Sequence, residues 1–299
     1  MQRIDGFLDL NELDDGSFNA SSYSKDQYWL NIEDKKYYYK ISNYPYHELI
    51  CYFLGKRMAI EVTPYDLATY KGNFGVISKS YCKDGYDYVP GYKMLEQYYR
   101  ESKKIMRDMG LRRKHWINFF TGPQFVCMNN LETITQAIDY MYKAKYSEEQ
   151  IFKCNYKMVK QFCFWILTGQ FDKSSHNWEL ELSNDSIDVV PVFDNEASFP
   201  TSQQVIPFSV GSLDNMHSLT DILTSFLRIS SSEYIEVFLD LYNKSNELAF
   251  EESIKEVESQ IGEVIPTRVK NELYDGYMYN MELIRGVLED FDLIKKVER

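Results

Sequence analysis

Three side chains stand at spacings that could hold a metal and move a phosphoryl group: Asp172, Asn177 five positions on, and Asp194 after a segment that reads as a hairpin. Carboxylate and amide oxygens are hard ligands. Mg²⁺ is typically held by one or two of them, together with waters and the oxygens of a nucleotide phosphate. Phosphoryl transfer to a hydroxyl also needs a carboxylate that orients the acceptor and takes its proton. Asp172 suits that role, and Asn177 and Asp194 suit the metal. By contrast, His47, His115 and His217 show no ligand spacing such as HExxH, and no GxSxG elbow is present. All three histidines read as structural.

The elements that must position these residues follow from periodicity. Trp178-Glu-Leu-Glu-Leu182 alternates apolar and acidic residues as a half-buried strand does, Ser183-Asn-Asp-Ser186 turns, and Ile187-Asp-Val-Val-Pro-Val-Phe193 returns. A hairpin brings its entry and exit together, so Asn177 and Asp194 become neighbours, with Asp172 on the loop before them. Apolar residues three and four apart predict helices over 92–109, 131–145 and 148–167. Upstream, 27–32 and 37–42 are β-prone runs flanking a turn at Glu33-Asp-Lys-Lys36, a helix follows over 46–58, and a strand over 75–78 precedes the Asp84-Gly85 turn. Beyond the Ser- and Pro-containing stretch 197–212, helices are predicted at 218–230, 232–245, 247–261 and 266–296. The expected organisation is α+β, with a small β-rich lobe over residues 1–85 and a larger, mostly helical lobe over 86–299.

Composition narrows the function classes. With 299 residues, 44% hydrophobic and 26% charged, the chain can bury a sizeable core. A formal charge of -12 disfavours direct nucleic-acid binding. The apolar run Phe162–Leu167 is far shorter than the roughly 20 residues that cross a bilayer, and the acidic amino terminus lacks the order of a signal peptide, so no membrane association and a cytoplasmic location are expected. The cysteines at 51, 82, 127, 154 and 163 form no CxxC pair and read as reduced core residues. Lys104, Arg107, Arg112, Arg113 and Lys114 form the one basic stretch, which reads as a solvated helix end that an acidic protein substrate could also use.

An Asp followed five positions later by Asn, then a hairpin and a second Asp, is the arrangement of protein-kinase catalytic residues. In detail, an apolar helix running into Asp172-Lys-Ser-Ser-His-Asn177, then Trp178-Glu-Leu180 and Pro191-Val-Phe-Asp194, resembles the HipA-like serine/threonine kinases. The resemblance spans roughly residues 15 to 200 and implies a two-lobed protein-kinase-like fold. It further implies ATP- and Mg²⁺-dependent phosphoryl transfer to a Ser or Thr hydroxyl of a protein substrate, with Asp172 catalytic and Asn177 and Asp194 on the metal. The family places Arg and His directly after the catalytic Asp. Here Lys173 and Ser174 stand there, and His176, at the fourth position, is the candidate for the supporting role.

Kinases also use a strand Lys on the nucleotide phosphates, paired with a Glu on the next helix. Lys40 and Glu48 are that pair here, with the bulky Tyr38 two positions before the lysine. No GxGxxG occurs. The segment Gly16 to Lys25 is loosely similar to the family's phosphate loop, which makes Ser22 and Ser24 nucleotide-binding candidates and Ser21, Ser22 and Ser24 candidates for autophosphorylation. Gly75 to Tyr81 corresponds to the last sheet strand and hinge, with Lys79 to Tyr81 meeting the adenine. HipA-like kinases are often neutralised by a DNA-binding, antitoxin-like partner protein. Two alternatives share the same residues: a small-molecule kinase of the aminoglycoside or choline type, and an inactive pseudokinase acting as a binding module.

Overall fold

One hairpin of the first sheet turns on two residues. Strands β4 (Gln27–Ile32) and β5 (Lys35–Ile41) are joined by Glu33 and Asp34, whose φ values of 49° and 59° are both positive. That is the two-residue turn whose twist matches the twist of paired strands. Lys35 and Lys36, expected in a longer turn, therefore open β5 opposite Ile32 and Asn31. A computed structural model of the chain describes residues 3–11, 13, 18–20, 26–108, 131–172, 175–202, 205–207 and 216–295.

Five further strands complete the first sheet: β1 (Arg3–Ile4), β2 (Phe7–Asp9), β3 (Phe18–Ala20), β6 (Tyr65–Tyr70) and β7 (Asn73–Lys79). Their order is β1-β2-β6-β7-β5-β4-β3, antiparallel except where β2 runs beside β6. Alternation along β5 sends Tyr39 into a small core with Leu10, Leu30, Tyr70 and Ile77, so Tyr38 and Lys40 face the other way. Gly75 pairs opposite Ile41, and a Cβ there would lie 2.1 Å from the Lys40 carbonyl oxygen. Only glycine lets the strands approach at that point.

Helix α1 (Pro45–Arg57) starts on a proline, carries Glu48 in its first turn and ends on Lys56 and Arg57, the charge order its dipole favours. Its apolar residues Leu49, Ile50, Phe53 and Leu54 are buried in the main core. The second lobe holds α2 (Gly91–Asp108), α3 (Leu131–Tyr142), α4 (Glu148–Leu167), α5 (Leu219–Ile229), α6 (Ser232–Lys244), α7 (Glu247–Ile261) and α8 (Thr267–Asp290). Ser147 and Gln150 form a capping box at the start of α4. A second sheet, ordered β10-β9-β8, is built from β8 (Asp87–Pro90), β9 (Glu179–Leu182) and β10 (Ile187–Val189). The stretch after residue 200 carries one more pair, β11 (Val205–Pro207) with β12 (Met216–Ser218). The chain thus has an α+β fold with a β-rich amino-terminal part and a mostly helical carboxyl-terminal part.

Two contacts fix the ends of the functional loops. Asn280 of α8 donates Nδ2 to the carbonyls of Ile166 (3.1 Å) and Leu167 (2.7 Å), closing the carboxyl end of α4 where the loop to Asn177 begins. Phe199, at φ 57°, packs its ring against His47, Phe250 and Tyr277. Burial holds the His47 imidazole down at about 4 and therefore neutral near pH 7. Among the described cysteines, Cys51, Cys154 and Cys163 are buried and reduced, whereas Cys82 is exposed, because the segment after β7 runs over the surface; Cys127 and His115 lie outside the described residues. No helix among the described residues is long and apolar enough to cross a membrane.

Gly276 on α8 meets the backbone of Phe199 so closely that a Cβ would lie 2.0 Å from its carbonyl oxygen. Gly276→Ala is expected to destabilise the protein by about 1–3 kcal/mol, because backbone rather than a flexible side chain must give way. A urea denaturation midpoint unchanged from wild type would show that the two segments do not touch.

Candidate active site

Lys40 leaves β5 almost fully buried, so its charge must be met inside the protein. Its Nζ pairs with Asp194 Oδ1 and, at 3.0 Å, with Glu196 Oε1. Burial alone would lower the lysine's pKa, but Asp194, Glu48 and Glu196 outweigh it and hold the ammonium above its ordinary value. Ser42, just past the end of β5, donates to the other Glu196 oxygen at 2.9 Å. Glu48 is fully buried, and its Oε2 accepts from the Asn195 backbone N–H at 2.8 Å and from Asn195 Nδ2 at 3.2 Å. The helix carboxylate therefore reaches Lys40 through its field and grips the residue between the lysine's two ion partners.

Asp194 has φ 58°, a left-handed conformation that Asp tolerates better than most residues. The segment leading to it is anchored across the lobes: Val192 pairs in parallel with Val62, Thr63 N–H donates to the Val192 carbonyl (2.7 Å), and Val192 N–H donates to that of Glu61 (2.8 Å). Gln170 closes the arrangement from the other side. Its Nε2 donates to the Asp194 carbonyl at 2.7 Å, and its Oε1 accepts from the Asp172 N–H at 3.3 Å. One buried amide thus ties the Asp172 loop to the Asp194 backbone.

Asp172 is exposed, and its carbonyl accepts a hydrogen bond from Asn177 Nδ2, which closes the loop between them. His176 stacks on Tyr92, with ring centroids 4.4 Å apart and planes at 16°. Lys40, Lys79, Tyr81, His176, Asn177 and Asp194 all line one cleft of about 270 Å³ between the two sheets. Glu48 and Asp172 stand outside that lining, the first beneath it and the second on the exposed loop. Ser22 and Ser24 lie outside the described residues. At the hinge, Tyr81 stacks on Phe193 (6.0 Å, 27°) and donates its hydroxyl to Glu179 Oε2 at 3.0 Å. Burial, then the neighbouring Glu179 carboxylate, raises the Tyr81 pKa, so the phenol stays protonated.

The residues present fit a metal-bound nucleotide. Among the described residues no three His, Cys, Asp or Glu side chains form a metal cage. Mg²⁺ shared with phosphates needs only one or two protein oxygens, which Asn177 and Asp194 can supply on the cleft wall. The Thr63 hydroxyl, also on that wall, is buried with no hydrogen-bond partner in the structure, a polar atom suited to a ligand. Sequence reasoning missed Gln170 and Glu196 as members of the site. Glu196 was visible as the third residue of Asp194-Asn-Glu196, whereas Gln170 carries no sequence signal beyond lying two positions before Asp172.

Glu48 and Glu196 are expected to respond differently to truncation. Glu48→Ala orphans two buried Asn195 donors and should cost about 3 kcal/mol in chemical denaturation. Glu196→Ala removes a carboxylate that is about one-third exposed and should cost about 1 kcal/mol or less. Equal losses would mean that the burial of Glu48 does not decide its role.

Comparison with sequence models of protein families gives no match, and neither does comparison with curated proteins. Solved structures do match. The Helicobacter pylori proinflammatory kinase CtkA superposes with a TM-score of 0.62 at 14% identity, covering 96% of this chain and 98% of that one. HipA of Shewanella oneidensis MR-1, solved with HipB and its operator DNA, superposes with a TM-score of 0.58 at 14% identity, covering 96% of this chain and 70% of that one. The chain has the fold of the HipA-like kinases.

Proposed function

We propose that the protein is a kinase that transfers a phosphoryl group from ATP, with Mg²⁺, to a Ser or Thr hydroxyl of a protein. The observation that carries this reading is the convergence of Lys40, Asn177 and Asp194 on one cleft in a fold shared with kinases. These residues arrive from β5, from the loop after α4 and from the segment after β10. No shared element would bring them together for a purely structural reason.

Each residue has a role that its position supports. Lys40, held by two carboxylates, presents a fixed positive charge to nucleotide phosphates. Asn177 and Asp194 would hold the metal, which neutralises charge building up on the transferring phosphoryl group. Asp172, exposed on the loop before Asn177 and tethered through Gln170, orients the acceptor hydroxyl and takes its proton. His176, stacked on Tyr92, supports the same loop. Lys79 to Tyr81 offer backbone groups to the base. Acceptors that reach Asp172 approach from solvent, which suits a side chain presented on a protein.

A partner class follows from the Shewanella oneidensis protein, which was solved with HipB and operator DNA. For this chain we infer a DNA-binding partner protein rather than direct DNA contact, since its charge of -12 opposes a phosphate backbone.

Intact mass after incubation with ATP and Mg²⁺ tests the chemistry without a known substrate. A phosphate-sized gain is expected on wild type and not on Asp172→Ala, with peptide mapping to ask whether Ser21, Ser22 or Ser24 carries it. Asp172→Asn should slow transfer by about 10²–10⁴-fold while ATP still binds, and Asp194→Ala should abolish metal-dependent binding. Undiminished transfer by Asp172→Asn would sink the mechanism. ATP binding without any transfer would favour a small-molecule acceptor or a binding module.

A further inference from the structure

Strand β9 places two glutamates on one side, and the structure treats them differently. Glu181 is fully engaged: Oε1 accepts from Lys83 Nζ at 2.7 Å and Oε2 from the Tyr88 hydroxyl at 2.9 Å. Glu179 lines the cleft and uses only Oε2, which accepts from Tyr81 at 3.0 Å. Its Oε1 accepts no hydrogen bond from any described residue. A carboxylate oxygen on the cleft wall with no donor among the described residues is an acceptor that a ligand hydroxyl can use.

Position along the cleft says which part of the ligand that donor belongs to. Glu179 follows Asn177 by two residues, at most about 7 Å of extended chain, and it is fastened to Tyr81 of the hinge. Under the reading of the cleft as a nucleotide site, phosphates lie at Asn177, Asp194 and Lys40, and the base lies at residues 79–81. The piece of a nucleotide that spans those two ends is the sugar. We propose that Glu179 is a specificity-determining residue whose Oε1 accepts a hydrogen bond from a ribose hydroxyl, so that the cleft prefers ribonucleotides to deoxyribonucleotides. This rests on the function proposed above. The Tyr81 hydroxyl fixes the carboxylate's rotamer, and carboxylates recognise ribose diols in unrelated nucleotide sites for the same reason.

The test is calorimetric binding of ATP, 2′-deoxy-ATP, 3′-deoxy-ATP and GTP, each with Mg²⁺, to the full chain and to Glu179→Ala. Wild type is expected to bind at least one deoxy form about tenfold more weakly than ATP, and Glu179→Ala to bind ATP about as weakly as wild type binds that form. Binding of all three adenine nucleotides by wild type within about twofold overturns the proposal, as does sugar discrimination that persists in Glu179→Ala. A variant that changes only the preference between ATP and GTP also overturns it, since the carboxylate would then read the base. Should the alanine variant fail to fold, Glu179→Leu, of similar size and without an acceptor, carries the test, and undiminished discrimination in it has the same force. Absence of binding by any nucleotide removes the kinase reading itself, a result distinct from binding without discrimination.

Discussion

A lysine charge buried between two lobes is the constraint around which this structure is organised. Moving an ammonium out of water is affordable only if carboxylates come with it. For Lys40 they come from residues 154 and 156 positions away, Asp194 and Glu196. The first sheet and the second lobe are thereby obliged to meet at one point. The Val62 to Val192 bridge and its flanking hydrogen bonds set the height at which they meet. Asp194 adopts a left-handed conformation there, and such a residue persists only where its surroundings over-determine it. Glu48 beneath, Gln170 beside and Tyr65, which a backbone hydrogen bond from Asp194 reaches, supply that over-determination.

Two glutamates divide a task that one would otherwise perform. Glu196 is a direct ion partner of Lys40 and is aligned by Ser42, whereas Glu48 holds the chain that carries both partners. A consequence is that the orientation of Lys40 depends less on α1 turning a side chain toward it and more on the path of residues 194–196. Positioning of this kind suits phosphoryl transfer, in which most of the protein's contribution is placement and fixed charge.

Legibility in the sequence followed the range of the interactions involved. Helices α4 and α7 coincide with their periodic patterns, and β9 and β10 follow from alternation and the Ser183 to Ser186 turn, since the causes of those elements lie within a few residues. The convergence of Asn177 and Asp194 was legible because a hairpin is itself local. Strands β1, β2 and β6 were not; β1 and β2 are only two and three residues long, and β2 joins the sheet through a parallel pairing with β6 some sixty residues away. The contacts of Lys40 with Asp194 and Glu196 were not legible for a related reason. A Lys followed closely by a helix Glu is a sequence pattern, but which carboxylate touches the ammonium is decided by the route of a segment far down the chain. Gln170 had no pattern at all, since its two hydrogen bonds both run to backbone.

What holds the lobes in register is mostly apolar. Arg57 of α1 reaches Glu252 and Glu256 of α7, but these carboxylates are more than one-third exposed, and such pairs contribute about 1 kcal/mol or less each. Leu49, Ile50 and Leu54 of the same helix are fully buried, each contributing about 1.5–3 kcal/mol relative to exposure. The apolar face therefore supplies most of the adhesion between α1 and the core. At the opposite side of the cleft the balance is reversed. Tyr81 on Glu179 and Lys83 with Tyr88 on Glu181 are polar ties between the hinge segment and strands β8 and β9. A cleft fastened by packing at its back and by directional hydrogen bonds at its hinge keeps its shape at the back and can adjust at the hinge. That adjustment would be felt first by Glu179 and Tyr81, which line the cleft at that side.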